Sequence, residues 1–82
     1  MDLSHSRLSG EIPPSITQCS NLNLLNLLDN LIDSKILSEI GNLKSLVSLD
    51  LSYNRMFGAI PVRLGNASAI LVFQMDGNFL PG

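Results

Sequence analysis

The sequence predicts an α/β repeat solenoid, with a parallel β-sheet on a concave face and short 3-10 or irregular turns on a convex face. Two observations predict this fold. Apolar residues, asparagines and glycines recur at an offset of 24 residues along the chain, and short alternations such as Leu49-Asp50-Leu51 recur with them. A unit of this length cannot bury its apolar side chains alone, so it must stack on copies of itself.

Two apolar columns define the inner strands. They contain Leu25, Leu49 and Phe73, and Leu27, Leu51 and Met75. Both members of each pair point inward and the residue between them points outward, so we expect parallel strands near 24–28, 48–52 and 72–76. Read alone, residues 22–32 also fit an amphipathic helix, but their counterpart at 46–56 indicates a strand followed by a turn.

One asparagine follows each strand, at Asn30, Asn54 and Asn78. A carboxamide carries both donors and an acceptor, so it can bond the backbone groups that a turn leaves buried. We therefore expect these three residues to form a structural ladder along the solenoid. Ser6 occupies the same column in the first unit and can make only part of these bonds.

The column pattern L-x-x-L-x-L-x-x-N-x-L-x-G-x-I-P resembles the plant type of leucine-rich repeat. Its Gly-x-Ile-Pro element occurs within residues 8–16 and 56–64, whereas Ser34 and Leu37 replace the glycine and the proline in the unit between them. The resemblance implies a right-handed superhelix. It covers one segment, 1–82, without terminal caps: a partial repeat 1–21, repeats 22–45 and 46–69, and a partial repeat 70–82.

The resemblance also implies a function. Plant repeats of this type occur in ectodomains of receptor-like serine/threonine kinases and receptor-like proteins, where they bind protein or peptide ligands or co-receptors. They also occur in secreted inhibitors of cell-wall-degrading enzymes. We therefore expect a non-catalytic binding scaffold whose parent protein lies at the plasma membrane, with the repeats outside the cell. The inhibitor is one alternative, and a truncated fragment without independent function is another.

Composition and motifs narrow the function further. The net charge is −2 with no basic patch, so we expect no nucleic-acid partner. We also expect no membrane span, signal peptide, kinase motif, metal or cofactor. Cys19 aligns with an apolar column and is predicted to be a small core residue. His5 has no partner at a useful spacing and is predicted to be an ordinary exposed histidine.

The outward positions of the inner sheet form the candidate binding face. Its predicted members are Asp2, Ser4, His5, Asn26, Asp29, Asp50, Ser52, Tyr53, Arg55, Gln74, Asp76 and Phe79. Tyr53 and Phe79 would be its apolar anchors. The alternative is a solvated sheet face, with the ligand bound by other repeats of a parent protein.

Two further predictions concern single features. Asn66-Ala67-Ser68 is an N-x-S/T sequon, which predicts N-glycosylation at Asn66 in a secreted parent. Apolar columns at the two ends of the stack have no unit to cover them, so we expect marginal stability or end-to-end self-association. The end residues are Met1, Leu3, Leu8, Phe73, Met75 and Leu80.

Overall fold

The computed structural model describes residues 1–62, 64 and 70–79, and it contains short parallel strands that repeat along the chain. In chain order these are β1 Ser9–Gly10, β2 Leu24–Asn26, β3 Leu31–Ile32, β4 Ser48–Asp50 and β5 Val72–Gln74. The main sheet has the order β2-β4-β5. Leu25 pairs with Leu49, and Leu49 pairs with Phe73, so the register follows the repeat offset. The predicted parallel strands are confirmed, although each ends two residues before its predicted limit.

A second, two-stranded parallel sheet was not predicted. It pairs β1 with β3, with Ser9 opposite Leu31 and Gly10 opposite Ile32. A parallel bridge between Lys35 and Phe57 continues the same kind of pairing between the next units. Neighbouring units therefore pair with each other at two places, once before and once after the ladder asparagine.

In the first two units the outer turns are 3-10 helices, as predicted: η1 spans Pro14–Gln18 and η2 spans Ser38–Asn42. Leu37 precedes η2 with φ −70° and ψ 130°, and Pro13 precedes η1 with φ −57° and ψ 123°. Leucine can adopt the dihedral angles that proline would fix. The missing proline therefore leaves the path of the second unit unchanged at this point.

The core is a column of aliphatic side chains between the sheet and the turns. Leu25, Leu27, Leu49 and Leu51, at the centre of the stack, are completely buried. In the end units the corresponding residues are only partly buried and pack against the same core; they are Leu3, Phe73 and Met75. The ends are less covered than the middle because each has a neighbouring unit on one side only.

The accessible surface of the chain is 4762 Å². A compact protein of 8.9 kDa has about 4,800 Å² by the area scaling of folded monomers. So short a solenoid therefore exposes no more area than a compact protein of the same mass. The reason is its shape: with extents of 26 × 25 × 20 Å, the stack is about as long as it is wide.

The ladder asparagines connect each unit to the one before it. Asn54 Oδ1 accepts a bond of 3.1 Å from the Ile32 amide, and its Nδ2 donates to the carbonyl oxygens of Leu27 (2.9 Å) and Leu51 (3.1 Å). Asn30 and Asn78 repeat this arrangement one unit earlier and later. Asn30 and Asn54 are buried, whereas Asn78 is half-buried in the last described unit.

Ser6 does not reproduce the ladder bonds. Its side chain is exposed, and its hydroxyl donates to the Ser4 carbonyl oxygen within the same turn, at 3.2 Å. The Ser6 amide instead donates to Asn30 Oδ1 of the next unit. Asn30 therefore holds the turn of the first unit in place of a ladder residue there.

The prediction that Cys19 is a core residue is wrong, because its side chain is exposed. Cys19 follows η1 in the first unit, which has a neighbouring unit on one side only. Leu43, in the same column, lies between two units and is buried.

Across the described ranges, no helix is long and apolar enough to cross a bilayer.

Candidate binding face

The exposed side of the main sheet carries its side chains in rows that cross the strands. Asn26 lies opposite Asp50, Asp50 lies opposite Gln74, and Asp2 joins the row through a bridge to Asn26. These positions are exposed or half-exposed. We call this exposed side, with the turn that follows each strand, the concave face.

The concave face also has a first row, at the starts of the strands, that was not predicted. Leu24, Ser48 and Val72 lie opposite one another at the starts of β2, β4 and β5. Leu24 and Val72 are exposed and Ser48 is half-exposed. The signal was present, since side chains two residues apart on a strand share a side, and these positions precede the predicted row by two.

The second row consists of Asp2, Asn26, Asp50 and Gln74, and local hydrogen bonds hold the first three of these side chains. Asp50 Oδ1 accepts from the Ser52 amide at 2.9 Å, and Asn26 Oδ1 accepts from the Leu28 amide at 3.0 Å. Asp2 Oδ1 accepts from both the Ser4 amide (3.0 Å) and the Ser4 hydroxyl (2.6 Å). These two bonds, the hydroxyl foremost, lower the pKa of the Asp2 carboxyl below its ordinary value. Each side chain keeps a second polar atom for a ligand.

The residue before each ladder position has a left-handed backbone. The φ angles are 55° at His5, 59° at Asp29, 57° at Tyr53 and 73° at Gly77. We call these four residues the left-handed column. Because all four units share the conformation, it belongs to the turn and is not specific to any side chain.

Within the left-handed column, His5 Nδ1 and Asp29 Oδ2 are 2.7 Å apart. The prediction that His5 lacks a partner is therefore wrong. The two residues are 24 positions apart, so stacking places them side by side. A cleft of about 350 Å³ opens next to them, lined by His5, Arg7, Asp29, Asn30 and Leu31. The pair itself stays largely in solvent.

The remaining predicted members separate into exposed and covered positions. Tyr53 is 60% exposed and Phe79 is 71% exposed, and both remain available for contact. Arg55, Gln74 and Asp76 are also exposed. Ser4 is half-buried, and Ser52 is buried at 6% exposure. The assignment of Ser52 to the exposed face is therefore a mistake: its small side chain lies between neighbouring units and does not reach solvent.

Two other predictions concern modification and metal binding. Asn66 lies outside the described residues. Over residues 1–62, 64 and 70–79, no group of three or more histidine, cysteine or acidic side chains is placed to hold a metal ion.

The repeated columns match a known family. A family model described as Leucine Rich Repeat matches residues 1–19 and 45–67, slightly more than half of the chain. The chain belongs to the leucine-rich repeat family. This leucine-rich repeat chain is 45% identical over 69 residues to the leucine-rich repeat receptor protein kinase MSL1 of Oryza sativa subsp. japonica. It is 40% identical over 85 residues to receptor-like protein 39 of Arabidopsis thaliana.

These alignments cover 84% and 100% of the leucine-rich repeat chain, but only 5% and 10% of the two relatives. Two solved structures share its fold over its whole length. The PEPR1–AtPEP1 complex superposes with a TM-score of 0.93 at 40% identity, and 12% of that chain is covered. The Arabidopsis HAESA ectodomain, in complex with an IDA peptide hormone, superposes with a TM-score of 0.88 at 43% identity, and 14% is covered. The predicted leucine-rich repeat fold is confirmed.

Proposed function

We propose that this chain is a non-catalytic binding segment from the extracellular repeats of a plant receptor-like kinase or receptor-like protein. Its concave face would bind a peptide or protein ligand, or a co-receptor. The observation that carries the proposal is the exposed set of Tyr53, Arg55, Gln74 and Phe79 on a frame of regularly paired strands. The two solved complexes, of PEPR1 with AtPEP1 and of HAESA with an IDA peptide hormone, support the choice of a peptide.

The chemistry of the face suits a peptide. It offers apolar contacts in Leu24 and Val72, a charged group in Arg55, and polar groups in the second row. Asp50 and Asn26 are already held by hydrogen bonds to their own backbone. A side chain that is ordered before binding loses less conformational entropy when the ligand arrives. The face is therefore preorganised for binding.

A peptide selection tests the proposal. The purified 82-residue chain would be immobilised and panned against a random dodecapeptide library, and the affinities of synthesised hits measured by calorimetry. Arg55→Ala removes a charge from the concave face, whereas Lys44→Ala removes one exposed after η2 on the opposite side. We expect Arg55→Ala to weaken binding about tenfold, the typical loss at an interface contact worth more than 1 kcal/mol, and Lys44→Ala to leave it unchanged. Failure to select any peptide, or equal losses in both variants, would contradict the proposal.

Catalysis, location and modification are part of the same proposal. Any kinase activity would belong to another domain of a parent protein, and the repeats would lie on the outer side of the plasma membrane.

We propose that Asn66 carries an N-linked glycan on that side of the membrane. Mass spectrometry of the protein secreted from plant cells, before and after deglycosylation, would detect a mass difference confined to the peptide containing Asn66; no such difference would refute it.

A second copy of the chain is a further proposed partner. The half-buried side chains of Leu3 and Met75 lie at opposite ends of the described stack, and stacking two chains would cover them. We expect sedimentation velocity to show concentration-dependent association that Met75→Lys abolishes. Val72→Lys, which adds the same charge on the concave face, should not change it. A monomer at all concentrations would contradict this proposal without bearing on peptide binding.

A further inference from the structure

The Tyr53 ring lies on the backbone of the next unit. A Cβ atom built on Gly77 would be 2.5 Å from Tyr53 Cδ1 and 3.0 Å from Tyr53 Cε1. Carbon atoms in ordinary contact are about 3.5–4.0 Å apart, so the ring fills the space that a side chain at position 77 would need. Tyr53 nevertheless remains 60% exposed. One aromatic side chain therefore covers two units of the concave face and keeps most of its surface free.

The backbone conformation at Tyr53, with φ 57°, is unfavourable for a tyrosine side chain. Histidine, aspartate and glycine, which fill the rest of the left-handed column, are the residue types found most readily at positive φ. A bulky aromatic residue is an outlier there. An exposed ring gains little from burial that could offset this strain. Strained residues that persist are concentrated at functional sites, so the placement of tyrosine at this position points to a role on the surface.

We propose that Tyr53 is the aromatic contact through which the concave face binds an apolar ring of a ligand, a proline or an aromatic side chain. Gly77 is the positioning residue that gives the ring its place. The ligand contact rests on the proposed peptide-binding function. Tyrosine suits the role because it offers a large rigid contact area with only two side-chain torsions and a hydroxyl at its edge.

The intrinsic fluorescence of Tyr53 can test the positioning role of Gly77. Tyr53 is its single tyrosine, and it has no tryptophan, so tyrosine emission reports on position 53 alone. We expect Gly77→Ala to displace the ring, which lowers the emission anisotropy and raises quenching by acrylamide. Gly10→Ala is the matched control, since Gly10 has φ 76° against 73° at Gly77 but no atom within 4 Å of an added Cβ. Both variants bear the same backbone strain, and only Gly77→Ala creates a clash.

A double variant distinguishes a clash with the Tyr53 ring from a general loss of stability in Gly77→Ala. Tyr53→Ala combined with Gly77→Ala removes the clash, so it should melt at a higher temperature than Gly77→Ala alone. Unchanged anisotropy and quenching in Gly77→Ala, or identical behaviour of the Gly77→Ala and Gly10→Ala variants, would overturn the positioning role.

The ligand role is tested with defined probes. Blocked Gly-Phe-Gly and Gly-Pro-Gly tripeptides would be titrated while the ring-proton resonances of Tyr53 are followed by NMR, with blocked Gly-Ala-Gly as the control. We expect the ring-bearing probes to shift these resonances and to bind about two- to tenfold more weakly to Gly77→Ala, the range typical of an aromatic contact. Gly10→Ala should bind as the wild type does.

Two negative outcomes are distinguishable. If a ring-bearing probe or a selected dodecapeptide binds the face without shifting the Tyr53 resonances, the ligand role of Tyr53 is wrong and the proposed function stands. If neither the probes nor any library peptide binds, the proposed function and the ligand role are both wrong. The fluorescence measurements then still decide whether Gly77 positions the ring.

Discussion

The side-chain amide of Asn54 donates a 2.9 Å hydrogen bond to the carbonyl oxygen of Leu27 in the preceding unit. Asn54→Ala would leave the buried Ile32 amide without this partner and would remove the Asn54 bonds to the Leu27 and Leu51 carbonyl oxygens, of which the Leu27 oxygen keeps its bond from Asn30 Nδ2. A buried donor left without a partner costs about 1–3 kcal/mol and each further lost bond about 1 kcal/mol, so we expect the free energy of unfolding to fall by about 3 kcal/mol or more. Urea denaturation followed by circular dichroism measures it. Asn21→Ala, at an exposed turn position, is the control, and equal effects of the two variants would contradict the ladder's role.

The stack should be most sensitive at its centre. Leu51 is completely buried, whereas Leu3, in the same column of the end unit, is only partly buried. Leu51→Ala should cost about 2–5 kcal/mol, as deletions in packed cores do, and Leu3→Ala should cost clearly less because water already reaches the site. Denaturant midpoints of the two variants give the comparison. A larger loss for Leu3→Ala would mean that the end unit, not the centre, holds the stack together.

The His5–Asp29 pair should contribute little to stability. Both side chains are largely exposed, and exposed ion pairs are worth about 0–1 kcal/mol. A double-mutant cycle with His5→Ala and Asp29→Asn should therefore give a coupling energy below about 1 kcal/mol that shrinks as salt is added. Asparagine keeps the left-handed backbone favourable. A coupling several times larger would show that the pair also holds the two turns together.

Asp2 should make the free energy of unfolding depend on pH. Bonding by Ser4 lowers the pKa of its carboxyl below the ordinary value of 3.8. The folded state then binds the Asp2 proton less tightly than the unfolded state, so the contribution is complete above that value and is lost as pH falls through the folded-state pKa. NMR titration of the Asp2 carboxyl carbon measures it. Ser4→Ala should move the pKa back toward 3.8, whereas Ser15→Ala, at a distant exposed serine, should not.

The repeat offset predicted the main sheet because one residue-to-residue spacing fixes both the strands and their register. Residues 22–32, read alone, favoured a helix, and only the comparison with 46–56 removed that choice. The same offset places His5 beside Asp29 of the next unit, a partner that spacing within a single unit does not indicate. In a stacked protein, residues one repeat apart are the nearest neighbours.

The predictions for Cys19 and Ser52 were wrong because residues in the same column of the repeat can have different surroundings in the fold. Cys19 shares a column with buried Leu43 but has a neighbouring unit on one side only. Ser52 shares a row with exposed Asp76, but its side chain is too short to pass its neighbours. The second sheet was missed because β1 and β3 are two residues long, too short for an alternating pattern. Burial at a given position therefore needs the neighbouring units as well as the sequence.

The left-handed column also limits how this surface can evolve or be redesigned. Its positive φ angles favour glycine, asparagine, aspartate and histidine over nearly all other amino acids. The strand rows beside it accept most residue types, so new binding specificities can arise there by single substitutions at low cost. A combinatorial library built on this scaffold should randomise the strand rows fully and restrict the column to those four amino acids. Tyrosine would then be added only where the following unit carries glycine.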